Sequence, residues 1–289
     1  IYQMIDLIKA TKPKVIITTL EGHCWERLAF HCARSIFPEI KCIGYQHAIL
    51  FPRQHAVKRP LFNDLDPDVI FTAGLHSKDI LSAGYGASHK VKIKCAGTHR
   101  REDFFVSEAI ANNKRKIPCC LILPDGNLIE CQRLCEFANN LAHALPQFQF
   151  IIRLHPLVEL NYLKRKSKMF INLSKNISFS GNKNINDDFL LASWALYRGS
   201  GSAIHAAIAG LRPIYFSNKK ELSIDPLFQI NSGRKIIYNH SDLENILNDD
   251  LSKSSEAINF ELEELKIFSR DYYKAVDMNT IMSEISIKN

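Results

Sequence analysis

Two stretches of this chain combine residue types that can hold a phosphate. The first is Arg198-Gly199-Ser200-Gly201-Ser202, which runs into Ala203-Ile204-His205-Ala206-Ala207. Glycines let an anion approach the backbone and serine hydroxyls donate to it. Free N–H groups at a helix start add roughly 0.3–1 kcal/mol through the helix dipole. The spacing is neither a P-loop nor a dinucleotide turn. An N-capped helix after a tight turn has the same composition. The second stretch is Arg153-Leu154-His155-Pro156. Proline biases the residue before it toward extended backbone, which aims His155 past a strand end. An imidazole there can donate to a phosphate oxygen or assist a leaving group; a plain surface histidine is the alternative. Asp125-Gly126-Asn127 closes a further apolar run. Gly126 could admit a nucleotide phosphate, or the three residues could be a turn and a helix cap.

Acid–base candidates lie nearer the N-terminus. Glu21-Gly22-His23 follows the apolar run Lys14–Leu20. A carboxylate at a strand end can deprotonate an acceptor hydroxyl if burial tunes its pKa, or it can be a solvated helix-start acid. Trp25, Glu26 and Arg27 follow on the first helical turn, and an aromatic beside charges suits a sugar face. Gln46 and His47 end the next strand, before a loop carrying Arg53, His55, Lys58 and Arg59. Trp25, Glu26, Gln46, His47 and Arg53 are therefore the acceptor-side candidates. Asp187-Asp188 is not placed as a metal-binding motif at a strand end, so the expected chemistry needs no metal. The eight cysteines include no CxxC pair, so zinc-ribbon spacing is absent. They read as reduced thiols of a cytoplasmic protein.

The elements that must position these groups alternate. Short apolar runs are interleaved with helical stretches, which argues for α/β layers on parallel sheets. Strands are expected at Lys14–Leu20, Cys42–Tyr45, Asp68–Thr72 and Val91–Cys95, with helices at Ile1–Ala10, His23–Ile36 and Ser77–Ala83, the last stopped by Gly84. Thr98–Lys116, with Lys114-Arg115-Lys116, reads as a linker. A second series follows: strands Cys119–Leu123, Phe148–Leu154, Ile177–Ser180, Trp194–Tyr197, Pro213–Phe216 and Lys235–Tyr238, with helices at Asn127–Leu145, Asn186–Ala192, Ala203–Ala209 and Asp242–Asn248, the last capped by Ser241. Glu256–Ser286 is mostly helical.

At 289 residues, two domains of about 150 residues are the prior. The expected division is 1–105, 106–255 and a helical segment 256–289. The chain opens at Ile1 and has few strands before its first candidate loop, so the N-terminal domain is expected to be incomplete. With 46% hydrophobic and 23% charged residues, a disordered, collagen-like or coiled-coil chain is excluded. There are 37 basic and 30 acidic residues, a formal net charge of +7. That balance suggests anionic ligands, which Arg53, Arg153 and Arg198 could meet, while scattered basic residues without a recognised motif argue against nucleic acid.

Two Rossmann-like halves with a long C-terminal helix outline a GT-B glycosyltransferase, whose halves face a cleft. Arg153–Pro156 with Arg198–Ala207 resembles the His-Pro and serine-containing motifs of bacterial enzymes that use CMP-activated acidic sugars, the sialyltransferases and Kdo transferases of surface polysaccharide synthesis. The resemblance implies that His155, Ser200 and Ser202 contact a CMP phosphate, with Asp125, Gly126, Arg153, Pro156, Arg198, Gly199 and Gly201 completing the donor site. It also implies a catalytic acid at Glu21, although Leu20 replaces the first acid of the sialyltransferase motif. A nucleotide-sugar co-substrate and a glycan or lipid-linked acceptor would follow, with a cytoplasmic location, open to peripheral association at the inner membrane face. Two alternatives remain: a glycerophosphotransferase resembling those that use CDP-glycerol, and a catalytically silent nucleotide-sugar-binding subunit.

Overall fold

The computed structural model describes residues 1–61, 64–87, 89–100 and 118–286. The chain forms two compact units, Ile1–Glu102 with Arg270–Asn289, and Asp103–Ser269. Most of the expected linker, including Lys114-Arg115-Lys116, lies outside the described residues.

Unit 1 begins with α1 (Tyr2–Thr11), β1 (Val15–Thr19), α2 (Cys24–Ile36) and β2 (Lys41–Gln46). It continues with β3 (Val69–Thr72), α3 (Leu75–Tyr85) and β4 (Lys92–Cys95). The four strands pair in parallel in the order β1-β2-β3-β4. Every residue of β3 is buried, as expected of an inner strand of a parallel sheet covered on both faces. Leu20, Phe30, Cys42, Ile70 and Leu81 form one side of the core.

Gly84 does not stop α3. The helix runs through it to Tyr85 and is capped by Gly86. A Cβ on Gly84 would sit 2.5 Å from the Lys58 carbonyl oxygen. The glycine thus serves close backbone approach, where a helix break was expected.

Unit 2 contains β5 (Cys119–Leu123), α4 (Leu128–Ala144), β6 (Gln149–Ile152), α5 (Leu160–Lys166), a 3₁₀ turn (Lys168–Ile171) and β7 (Ile177–Phe179). Then come α6 (Ile185–Phe189), β8 (Trp194–Tyr197), α7 (Ser202–Ile208), β9 (Arg212–Phe216), β10 (Lys235–Ile237), α8 (His240–Ser252) and α9 (Ser255–Arg270). The sheet order is β10-β9-β8-β5-β6-β7, all parallel. β5 is wholly buried, and Phe148, Phe150, Leu134 and Leu196 pack around it. The Asn127 side chain caps α4, as expected, by accepting from the N–H groups of Ile129 and Glu130. Asn239, not Ser241, caps α8, accepting from Asp242 N–H at 2.9 Å.

The C-terminal segment is two helices. α9 belongs to unit 2, where fully buried Arg212 pairs with Asp250 at 2.5 Å and Glu261 at 2.9 Å. α10 (Met278–Ile285) belongs to unit 1. Its Ile281 and Ile285 pack on Ile43, Val69 and Phe71. Between them, backbone hydrogen bonds join Lys274 to Ala73 and Thr98, and Asp277 to Ala96. Side chains on Gly74 or Gly97 would run into the Tyr272 and Ala275 carbonyls.

Candidate functional site

In unit 2 the strand order reverses between β5 and β8. At such a point the loops leave the sheet in opposite directions and open a crevice at the carboxyl ends of the strands. The loops after β5, β6 and β8 meet there. A Cβ on Gly126 would lie 3.0 Å from His155 Nδ1, so any side chain there would press on the imidazole. Gly199 has a φ of +73°, and a Cβ there would be 3.1 Å from Asp125 Oδ2 and 3.0 Å from Ile224 Cδ1. Asp125, Gly126, His155 and Gly199 therefore form one constellation. Leu157 N–H donates to His155 Nδ1 at 3.2 Å. That bond leaves the neutral imidazole with its proton on Nε2, a donor.

Ser200 is nearly buried, Gly201 caps α7, and Ser202 opens it. The carbonyls of Ser200 and Gly201 take the N–H groups of Ala203 and Ile204 at 3.2 and 3.1 Å. No hydrogen bond among the described residues occupies the N–H groups of Gly201 and Ser202, or the two serine hydroxyls. These are the donors left for an anion. Pro156 is exposed beside His155.

The two arginines expected on the donor are engaged elsewhere. Arg153 pairs with buried Asp188 at 2.5 Å and donates to the carbonyls of Asn182 and Lys183. Arg198 is buried between Glu130, at 2.5 Å, and Glu221, and it donates to the Phe216 carbonyl. Arg198 is buried and Arg153 partly so, and each guanidinium has the carboxylate partner that burial demands. They brace the loops instead of presenting charge. Asp188 also accepts from Ser180 and Asn182. Among the described residues, no group of three or more His, Cys, Asp or Glu side chains is placed to hold a metal.

Sequence reasoning missed the support beneath this edge. The Tyr197 hydroxyl donates to Asp225 Oδ1 at 2.7 Å, and Arg234 pairs with the same carboxylate. Burial raises the Asp225 pKa against the opposing pull of Arg234. Ile224 N–H donates to the Tyr215 hydroxyl at 3.1 Å, which sets Ile224 against Gly199. The signal available was Asp225-Pro226 after a polar run, which by itself reads as a turn.

The carboxyl edge of unit 1 carries the other candidates. Glu21 Oε1 lies 3.4 Å from His47 Nε2, both partly exposed. Tyr45 stacks on His47 with centroids 5.7 Å apart. His47 Nδ1 is buried and has no hydrogen-bond partner among the described residues. Trp25 is 46% exposed, and Arg53 is exposed. Two acceptor candidates are corrected. Glu26 is fully buried, and its carboxylate accepts from the N–H groups of Glu21, Gly22 and His23 at 2.9–3.0 Å. It holds the Glu21 loop and has no surface for a sugar. Gln46 is also fully buried and donates to the Ala48 carbonyl.

No family model matches the chain, and no curated protein matches it. Solved structures do. UDP-GlcNAc 2-epimerase from Neisseria meningitidis, bound to UDP-GlcNAc, is 12% identical, with 98% of this chain and 80% of that one covered at a TM-score of 0.59. Acinetobacter baumannii MurG is 12% identical over 98% and 76%, also at 0.59. The Methanocaldococcus jannaschii UDP-GlcNAc 2-epimerase, in complex with UDP-GlcNAc and UDP, is 16% identical over 88% and 73% at 0.53. The likeness establishes the fold class: an α/β protein with parallel, Rossmann-type sheets, GT-B-like. Among the described residues no helix is long and apolar enough to cross a membrane.

Proposed function

We propose that the chain is a glycosyltransferase that takes its sugar from a nucleotide-linked donor bound at the carboxyl edge of β5 and β8. One observation carries this reading. Asp125, Gly126, His155 and Gly199 meet where the strand order reverses, beside the unoccupied donors of Gly201, Ser202 and the two serines. In this reading His155 Nε2–H and those donors take the charge that develops on the leaving phosphate. Asp125, wedged beside Gly199, accepts from a sugar or ribose hydroxyl. Glu21, with His47 beside it, takes the proton of the acceptor hydroxyl. The acceptor is a glycan or a lipid-linked saccharide, and the work is done on the cytoplasmic side of the membrane.

The donor proposed is a CMP-linked acidic sugar, on the strength of the His155-Pro156 pair and the Ser200–Ser202 loop. A UDP-linked donor is the second reading, favoured by the UDP and UDP-GlcNAc bound in the similar structures. Titration calorimetry with CMP, CDP, UDP and GDP separates them. Preferential binding of CMP supports the first; preferential binding of UDP replaces it with the second. His155→Ala and Ser200→Ala should each weaken nucleotide binding about tenfold, the worth of one charge-assisted hydrogen bond. Unchanged affinity in both would sink the donor-site assignment. Transfer or donor hydrolysis lost in Glu21→Gln, with nucleotide affinity kept, supports catalysis. Binding without turnover in both native and variant protein would mark a silent subunit.

A further inference from the structure

The segment Leu160–Lys175 carries five cations, Lys164, Arg165, Lys166, Lys168 and Lys175, and no acid. All five side chains are exposed, and none forms an ion pair among the described residues. Glu136, which packs on this segment through Ser167, is occupied by Gln132 and Ser167, and Glu159, at the N-cap of α5, forms no ion pair with the five cations among the described residues. In the middle of these cations stands Ile171, 85% exposed. Its exposure follows from the 3₁₀ turn. The Ser167 hydroxyl caps the turn at Met169 N–H, Met169 is buried, and Phe170 stacks on Phe179 at 5.7 Å. In a three-residue turn, side chains three apart eclipse, so Ile171 shares the outward face with Lys168. Lys164, Arg165 and Lys166 suit the C-terminal turn of α5, but an exposed aliphatic side chain within this run of cations adds nothing to the core of unit 2.

We infer that this face of unit 2 docks on an anionic lipid surface. The cations are attracted to the headgroups and Ile171 enters the boundary of the acyl chains. The exposed side chains Ile171 and Leu173 are aliphatic, and the exposed ring of Tyr162 is already faced by the Arg165 guanidinium at 5.9 Å. Aliphatic anchors enter a lipid boundary and give a nucleic-acid base nothing to stack on, which favours lipid over RNA as the partner. The surface is made by α5, the 3₁₀ turn and Lys175, and none of its residues is among those of the proposed donor site, so the inference stands or falls independently of the proposed activity.

Flotation of the full chain with phosphatidylcholine vesicles, and with phosphatidylcholine–phosphatidylglycerol vesicles, tests it. Binding is expected only to the anionic vesicles and should fall with added salt. Replacing Lys164, Arg165, Lys166 and Lys168 together by Gln should lower the partition coefficient roughly a hundredfold or more. Ile171→Ser should lower it about tenfold at unchanged salt dependence. Circular dichroism and nucleotide affinity, both expected to stay unchanged, show that the variants remain folded. Equal binding to both vesicle types, no binding to either, or full retention in the four-residue variant would overturn the inference. Binding of a mixed-sequence RNA oligomer that the four-residue variant loses and Ile171→Ser keeps would assign the patch to nucleic acid instead.

Discussion

Glu26 shows how a residue can be noticed for its chemistry and owe its place to the backbone. Three consecutive N–H groups, from Glu21 to His23, converge on its carboxylate, and the Thr19 hydroxyl lies 3.2 Å from the same group. Glu26→Ala would leave those donors in a closed space without an acceptor. A cost of about 2–3 kcal/mol is expected from the lost charge-assisted bonds, read as a lower urea midpoint. Because the Glu21 loop loses its anchor, catalysis should fall as well, while nucleotide affinity stays. Gly126→Ala is the complementary case. Its Cβ would be pressed against the His155 ring, and its backbone is not in the left-handed region that requires glycine. Nucleotide affinity should drop with little change in thermal stability. A large loss of stability with unchanged affinity would show that Gly126 serves packing alone. That the loops carrying His155 and Gly199 would meet at one sheet edge was legible in the sequence, because glycine, serine and His-Pro have few reasons to cluster. The fate of Arg153 and Arg198 was not legible. Their partners Asp188, Glu130 and Glu221 stand 35, 68 and 23 positions away, and a pattern read along the chain does not reveal which carboxylate folds against which guanidinium.

At the scale of elements, the alternation of apolar runs and amphipathic stretches located the strands of the described residues, most plainly β3 and β5, which are buried throughout and so read as continuous apolar segments. The helix after β6 was not anticipated: Leu160–Lys166 is short and dominated by cations, so its single buried Leu163 leaves no periodic stripe. The long C-terminal helical reading hid a break, because Asp271–Asp277 carries no Gly or Pro to announce it. What holds the last helix is electrostatic as well as apolar. Glu284 on α10 receives Lys41 and Lys94, each at 2.5 Å, and these two lysines pull its carboxyl down to about 2 from an ordinary 4.5. A depressed carboxyl pKa contributes stability that is fully present above the unfolded value and is lost as pH falls through the folded one. Unit 1 should therefore lose urea resistance between about pH 4.5 and pH 2. Glu284→Gln should be less stable at pH 7 and nearly insensitive across that window, checked by urea melts at stepped pH. An unaltered acid profile in the variant would move the acid sensitivity to other carboxylates.

For the whole molecule, the net charge of +7 distributes otherwise than the candidate arginines suggested. Arg153, Arg198, Arg212 and Arg234 are all committed to carboxylates inside unit 2, whereas the run from Lys164 to Lys175 leaves its charge to solvent. The chain path imposes a second asymmetry. Unit 1 is discontinuous in sequence and completed by residues after 269, while unit 2 is one continuous segment. Removing residues 270–289 strips Ile281 and Ile285 from the sheet face over Val69 and Phe71, leaves Lys41 and Lys94 without Glu284, and uncovers the β3 and β4 carboxyl ends, where Lys274 and Asp277 hydrogen-bond. Asp125, Gly126, His155 and Gly199 belong to the other, continuous unit. The shortened chain should therefore lose the native near-ultraviolet signal of unit 1 and any transfer activity that depends on Glu21. It should still bind the preferred nucleotide, and a hundredfold excess over the dissociation constant should stabilise unit 2 by about 2.7 kcal/mol. A two-step melt whose upper transition alone rises with nucleotide is the expected record. Loss of nucleotide binding on removing 270–289 would show that the donor edge cannot form without unit 1 complete.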